Sequence, residues 1–205
     1  MTQRRLWGRL TSVNVQKAVW GLDEAGLAYE QIAAGGAYGI VADPAYRALN
    51  PNGLVPTLEE DGFVLWESNA ILRYLAAINP GLALPDDPRA RAHVEQWLDW
   101  QATSFTPAMR DAFWQLYRSS APDRSVIAAS VAKTEAMAAI LDAHLAERDY
   151  VVGDRFGITD IALGCAAHRW LNLPTDRVER PALRRWYARL AARPAAARAL
   201  GEPIA

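Results

Sequence analysis

What this chain of 205 residues lacks narrows it first. It has one cysteine, Cys165, which excludes an internal disulfide and every cysteine-rich zinc pattern and fits a reducing compartment. Its three histidines, His93, His144 and His168, stand too far apart for a local metal box, so no metal site is expected. Neither sign of charge prevails: 22 basic residues face 23 acidic ones for a formal net charge of -1. The footprint of a protein that neutralises a phosphate backbone is missing, and nucleic acid is not an expected partner. No window approaches the ~18 continuous apolar residues of a membrane span. The basic start "MTQRRLWGRL" is not followed by the roughly 7 to 15 apolar residues of a secretory signal. A soluble, cytoplasmic protein with no membrane partner is therefore expected. Lysine is nearly absent too, with Lys17 and Lys133 set against a chain that otherwise uses arginine.

What is present suits a packed globular chain, with 51% hydrophobic and 22% charged residues. Strand and helix signals alternate over the first eighty residues, and only helical periodicity follows Pro88. The spacing predicts one domain over 1-79, a proline-dense linker over 80-88 and an all-helical domain over 89-205. "RRLWG" reads as a strand, 14-26 as a helix with Val15, Val19 and Leu22 on one stripe, and "LAYEQI" as a second strand. A glycine-rich loop and a brief helix over 44-49 come next. "VPTLEEDGFVLW" reads as a hairpin turned at Asp61-Gly62. A helix follows from Ser68, with Ile71, Leu72, Leu75 and Ile78 facing the core. In the second half, helices are predicted at about 89-117, 123-147, 158-171 and 181-192, with a short one near the end. The last long one carries Leu183, Trp186, Tyr187 and Leu190 at helical spacing.

The stretch "NPNGLVPTLEEDGFVLWESNAILRYL" sets a proline at a strand edge and an acid and a hydroxyl at a helix mouth. Pro56 has no N-H to donate, and an X-Pro bond can be cis at modest cost, which leaves Val55 with a free edge. An extended peptide can add to such an edge through main-chain bonds. Ser68 and the helix start can receive a carboxylate, and Glu67 can accept from an ammonium. A group with both charges on one carbon is an α-amino acid head. Ser68 acting only as a helix cap is an equally economical reading of these residues alone.

This stretch resembles the glutathione-binding half of the cytosolic glutathione transferase superfamily. "WGRLTSVNVQKAVWGLDEAGLAYE" is similar to the family's first strand and helix, and "YVVGDRFGITDIALGCAA" to the folding motif of its helical domain. The resemblance implies an α/β thioredoxin-like N-terminal domain followed by an all-α helical bundle. It implies a cis Pro56, Val55 paired with the cysteinyl unit of glutathione, and Glu67 with Ser68 on the γ-glutamyl group. It also implies a homodimer. Glutathione, as co-substrate, and a small apolar electrophile are the expected partners.

Conjugation needs the thiol as thiolate. A free thiol titrates near ~8.5, and one hydroxyl donor with a helix amino terminus supplies roughly 1 to 3 kcal/mol toward the charged form. Ser12 falls where the serine-type classes place their catalytic residue; Asn14 is the second candidate and Thr11 the third, and capping the first helix is the alternative role for Ser12 and Asn14. No cysteine precedes Cys165, which disfavours cysteine-type reductase chemistry. Trp7 stands at the end of the first strand, where the tyrosine-type classes need tyrosine.

Two positions depart from the pattern. Leu54 stands where relatives put Lys or Gln for the glycyl end of glutathione, with Tyr46, Arg47 or Asn52 as possible replacements. "GITD" has Gly157 in place of the capping hydroxyl but keeps Asp160, with a somewhat weakened nucleating turn expected. The second substrate is expected against the helix bearing Val94, Trp97, Leu98, Ala102 and Phe105 as its core stripe, in a pocket that uses Trp100, Ser104, Trp114 and Tyr117, although aromatics at this spacing are commonly core. His168 is expected as a hydrogen-bonded structural histidine and Cys165 as a buried apolar residue. The competing function is a non-catalytic glutathione-binding or regulatory protein on the same fold; peroxidase, isomerase and dehalogenase chemistry on the same thiolate also stay open.

Overall fold

In the computed structural model, which describes residues 2–82, 84–202 and 204, the alternation of the first half becomes β1 (Arg4–Trp7), α1 (Val13–Glu24), β2 (Glu30–Ile32), α2 (Pro44–Leu49), β3 (Thr57–Glu60), β4 (Phe63–Trp66) and α3 (Ser68–Ile78). The sheet order is β2-β1-β3-β4, with β1 parallel to β2 and the other pairs antiparallel. A parallel pair needs a crossover, and α1 supplies it. Leu6 and Leu58 lie opposite each other on β1 and β3, both fully buried. Val15, Val19 and Leu22 of α1 and Ile71, Leu72 and Leu75 of α3 are likewise buried, and the two helices pack together. Ile78 does not join them: it is 45% exposed. It is the last residue of α3, where Asn79 turns the chain away and donates its side-chain amide to the Ala25 carbonyl at 2.8 Å. The hairpin turns at Asp61-Gly62, both at positive φ (47° and 88°), as the two-residue connection between right-twisted strands requires.

The chain divides into two units, and the division differs from the sequence expectation at the carboxyl end. The first takes residues up to Leu84 and also Arg193–Pro203, a segment the sequence places with the helical domain. That segment carries the short helix α10 (Ala196–Leu200), whose Ala196 and Ala199 are buried and which packs on α1. Small side chains let the two helices approach, and the Arg193 guanidinium grips Glu24 through both carboxylate oxygens.

The second unit, Pro85–Ala192, holds α4 (Pro88–Trp100), α5 (Thr106–Ala108), α6 (Arg110–Tyr117), α7 (Arg124–His144), α8 (Ile158–Asn172) and α9 (Pro181–Ala191). The single helix expected over 89-117 is interrupted. Residues Gln101–Phe105 form a π turn and Met109 a further break. Pro107 lacks an N-H and its ring would collide with the carbonyl four residues back, so a widened turn before it relieves the conflict. The shift in phase leaves Val94, Leu98 and Phe105 buried, Trp97 half-buried and Ala102 exposed.

At the centre α8 is buried along nearly its whole length. Its start is held by Asp160, which accepts from the Gly157 N-H at 3.0 Å, the Val151 N-H at 3.0 Å and the Trp186 indole at 2.9 Å. Gly157 has no side chain with which to return the bond, so only the aspartate half of the box exists. His168 pairs through Nδ1 with the Tyr187 hydroxyl at 2.6 Å, and Cys165 is buried. Tyr187 itself is half-buried rather than core. No helix among the described residues is long and apolar enough to cross a membrane.

Candidate functional site

The Val55-Pro56 bond is cis. The loop before it is fixed from behind: the Tyr46 hydroxyl donates to the Leu54 carbonyl at 2.6 Å, and the Asn50 amide donates to the same oxygen at 2.9 Å. Both also meet the Thr57 hydroxyl, at 2.8 and 3.1 Å. Burial pushes the Tyr46 phenol above its ordinary range, which keeps the proton that the Leu54 carbonyl needs. Val55 takes no part in the β1–β3 ladder, whose pairing ends at Thr57. Its main chain is thereby presented at the edge of the loop.

A cleft of about 50 Å³ gathers Asn14, Leu54, Val55, Pro56, Glu67 and Ser68. Its far wall is the start of α3. Glu67, not Ser68, is the N-cap, and Glu67 sits at φ 69°, a region that a side-chain-bearing residue rarely occupies. Its carboxylate makes no cap bond and so does not occupy the first N-H groups of α3, at the end of the helix where the dipole favours an anion. Ser68 is buried and donates its hydroxyl to the Asn14 Oδ1 at 3.2 Å. This contact spends the amide oxygen of Asn14 and leaves its nitrogen as a donor. One turn further along α1, the buried Lys17 ammonium donates to Asn69 Oδ1 at 2.9 Å, so the starts of α1 and α3 are tied at two levels.

Ser12 is the N-cap of α1 and is half-buried, and its hydroxyl makes no cap bond. It stands in the chain between Thr11 and Asn14, at the amino terminus of α1. Leu54 is 65% exposed and offers no donor. Of its suggested replacements, Tyr46 is buried and committed to the loop, Asn52 bonds Asn50, and the Arg47 guanidinium reaches the Pro51 carbonyl at 3.3 Å.

The residues expected to hold the second substrate lie in the second unit and have different surroundings. Trp100 stacks on Phe105 with ring centroids 5.5 Å apart and meets Trp97 edge-on, Tyr117 packs on Phe113, and Trp114 is 58% exposed. Ser104 is half-buried on the π turn.

With this geometry in place, comparison with known proteins is decisive. Two family models, for the glutathione S-transferase N-terminal domain and C-terminal domain, match residues 2–77 and 124–189. The chain belongs to the glutathione S-transferase family. It is similar to glutathione S-transferase GstB of Escherichia coli K12, 42% identical over 97% of this chain and 98% of that one. It is 30% identical to the probable glutathione S-transferase GSTF2 of Oryza sativa subsp. japonica, over 95% of this chain and 94% of the relative. Among solved structures it matches a theta class glutathione S-transferase of Xanthomonas axonopodis pv. citri with glutathione bound, at TM-score 0.95, 45% identity and full coverage of both chains. The thioredoxin-like βαβαββα unit and the helical unit are those of the family.

Six residues singled out in the sequence, Asn14, Leu54, Val55, Pro56, Glu67 and Ser68, line one cleft. Asn50 and Thr57 carry no such signal in the sequence, and Tyr46, one of three residues offered in place of a donor at Leu54, bonds the loop instead.

Proposed function

We propose that this family member binds glutathione along the cleft beside Val55, ionises its thiol at Ser12 and transfers the thiolate to a small electrophile with an apolar body. Val55 pairs with the cysteinyl main chain; Ser68, the start of α3 and Glu67 hold the γ-glutamyl carboxylate and ammonium. The Ser12 hydroxyl donates to the sulfur at the amino terminus of α1, where the helix dipole favours negative charge. The observation that carries this reading is the pair of uncommitted helix starts: Ser12 and Glu67 both stand at N-cap positions and neither side chain caps its helix. Trp114 and Tyr117 are the second unit's candidates for the apolar body, with Ser104 on the π turn before them; Trp100 gives one face to Phe105. A homodimer is supported by Phe63 and Trp66, exposed apolar side chains on the edge strand β4.

Retention on immobilised glutathione and conjugation of a generic aryl halide test the reading. Ser12→Ala is expected to lower kcat/KM tenfold or more. It is also expected to raise the pH midpoint of the rate toward the ~8.5 of a free thiol. A mutant with full rate and an unmoved profile transfers the role to Asn14; binding without turnover in the parent chain favours the regulatory alternative.

A further inference from the structure

A second cavity of about 320 Å³ opens in the same unit, lined by Gly8 to Thr11, Gln31, Tyr38 and the carboxyl-terminal residues Arg198 and Glu202. Thr11 lines this cavity and Asn14 lines the cleft beside Val55, and Ser12 lies between them in the chain. The segment that carries Ser12 thus runs from one cavity to the other.

Two guanidinium groups define the cavity's charge. Arg198 is held in place: its Nη1 donates to the Tyr29 hydroxyl at 2.9 Å and its Nη2 to Gln31 Oε1 at 2.8 Å. Gln31 in turn donates to the Gly8 carbonyl at 3.0 Å, and Tyr29 donates to Asp23 at 3.0 Å. These bonds use two of the five N-H donors of a guanidinium and leave the group both oriented and able to bind. Arg9 lies across the Gly35-Gly36 backbone: a Cβ on Gly35 would come within 2.8 Å of Arg9 Nη1 and within 3.4 Å of Val55 Cγ1, and one on Gly36 within 2.9 Å of Arg9 Nε. Both glycines have positive φ, so the loop leaves the guanidinium room where another residue would fill it. Among the residues that line the cavity the acid is Glu202, which is exposed, while Asp23 faces Arg198 from behind Tyr29. The phenol of Tyr38 adds a neutral polar group.

We propose that this cavity selects electrophiles whose far end carries a carboxylate, bound between Arg9 and Arg198. The inference rests on the glutathione reading above and names the class of second substrate for it. A planar carboxylate matches guanidinium donors geometrically, and an acid carried on a ring beside the reacting carbon is the class of group this cavity would take. No bond is made or broken in this recognition; it acts on binding alone.

The test compares two ligands that differ only in that end, S-(4-carboxybenzyl)glutathione and S-(4-carbamoylbenzyl)glutathione, titrated calorimetrically against the full chain. The acid is expected to bind about tenfold more tightly than the amide, as one charge-assisted contact provides. In Arg9→Gln and in Arg198→Gln that ratio is expected to fall at least fivefold. The ratio is internal to each variant, so a general loss of affinity does not imitate the effect. Equal affinities in the parent chain overturn the inference and leave the glutathione site standing. A preference that persists in both variants overturns it as well. If neither ligand binds, the glutathione reading fails and takes the inference with it.

Discussion

Tyr46 holds the Leu54 carbonyl and the Thr57 hydroxyl through a single phenol oxygen. Tyr46→Phe removes one of the two bonds that each of these groups makes, the Asn50 amide keeping the other, which costs about 1 kcal/mol in chemical denaturation. The same change loosens the loop that presents Val55, so KM for glutathione is expected to rise several-fold while kcat changes little. This role shows where sequence reading stops at the scale of a residue. Ser12, Asn14, Glu67 and Ser68 could be picked out because an acid or hydroxyl at a helix start is a recognisable chemical pattern. Tyr46, Asn50 and Thr57 support the loop from its hidden side, and nothing in their spacing separates them from ordinary loop and strand residues. Lys17 was noticed for its rarity; that its ammonium would be buried against Asn69, a residue 52 positions away, had no sequence signal.

At the scale of an element, the start of α3 carries a cost that a glycine would remove. Glu67 at φ 69° is held in a conformation worth roughly 1 to 3 kcal/mol of strain. Glu67→Gly is therefore expected to raise stability by about 1 kcal/mol, after the added freedom of the unfolded chain is counted. On the proposed placement of the γ-glutamyl ammonium at Glu67, it is also expected to weaken glutathione binding tenfold or more. Denaturation and equilibrium titration of the same variant measure the two effects, and a gain in both would remove Glu67 from the site. The start of α8 behaves oppositely. Asp160 accepts three bonds in the interior, so Asp160→Ala leaves three buried donors unpaired and is expected to cost about 3 to 5 kcal/mol, read from the denaturation midpoint. Periodicity located α1, α3, α8 and α9 because each has a one-sided or continuous apolar pattern. It ran through Gln101–Phe105 without a break because Trp97, Leu98 and Phe105 keep nearly helical spacing, and only the ring of Pro107 forces the turn to widen.

At the scale of the molecule, the return of the chain to its first unit was not legible. An alanine-rich tail has no face that names its partner, and its anchors join Arg193 to Glu24 and Arg198 to Tyr29, each across 169 residues. Contacts at that separation are fixed by the finished fold. The proposed homodimer belongs to this scale. Sedimentation is expected to give a dimer, and Phe63→Asp, which places a charge on the apolar edge strand, is expected to shift it to monomer. A parent chain that sediments as a monomer removes the proposal.

The burial of Lys17 has a practical corollary. It is 2% exposed, and Lys133, on α7 in the second unit, is the one other lysine in the chain and is open to solvent. Acylating reagents aimed at ε-amines accordingly find one reactive lysine on the folded surface. A dye or support coupled through it sits on the helical half, away in sequence from every residue of the cleft beside Val55, and every tethered copy hangs by the same helix.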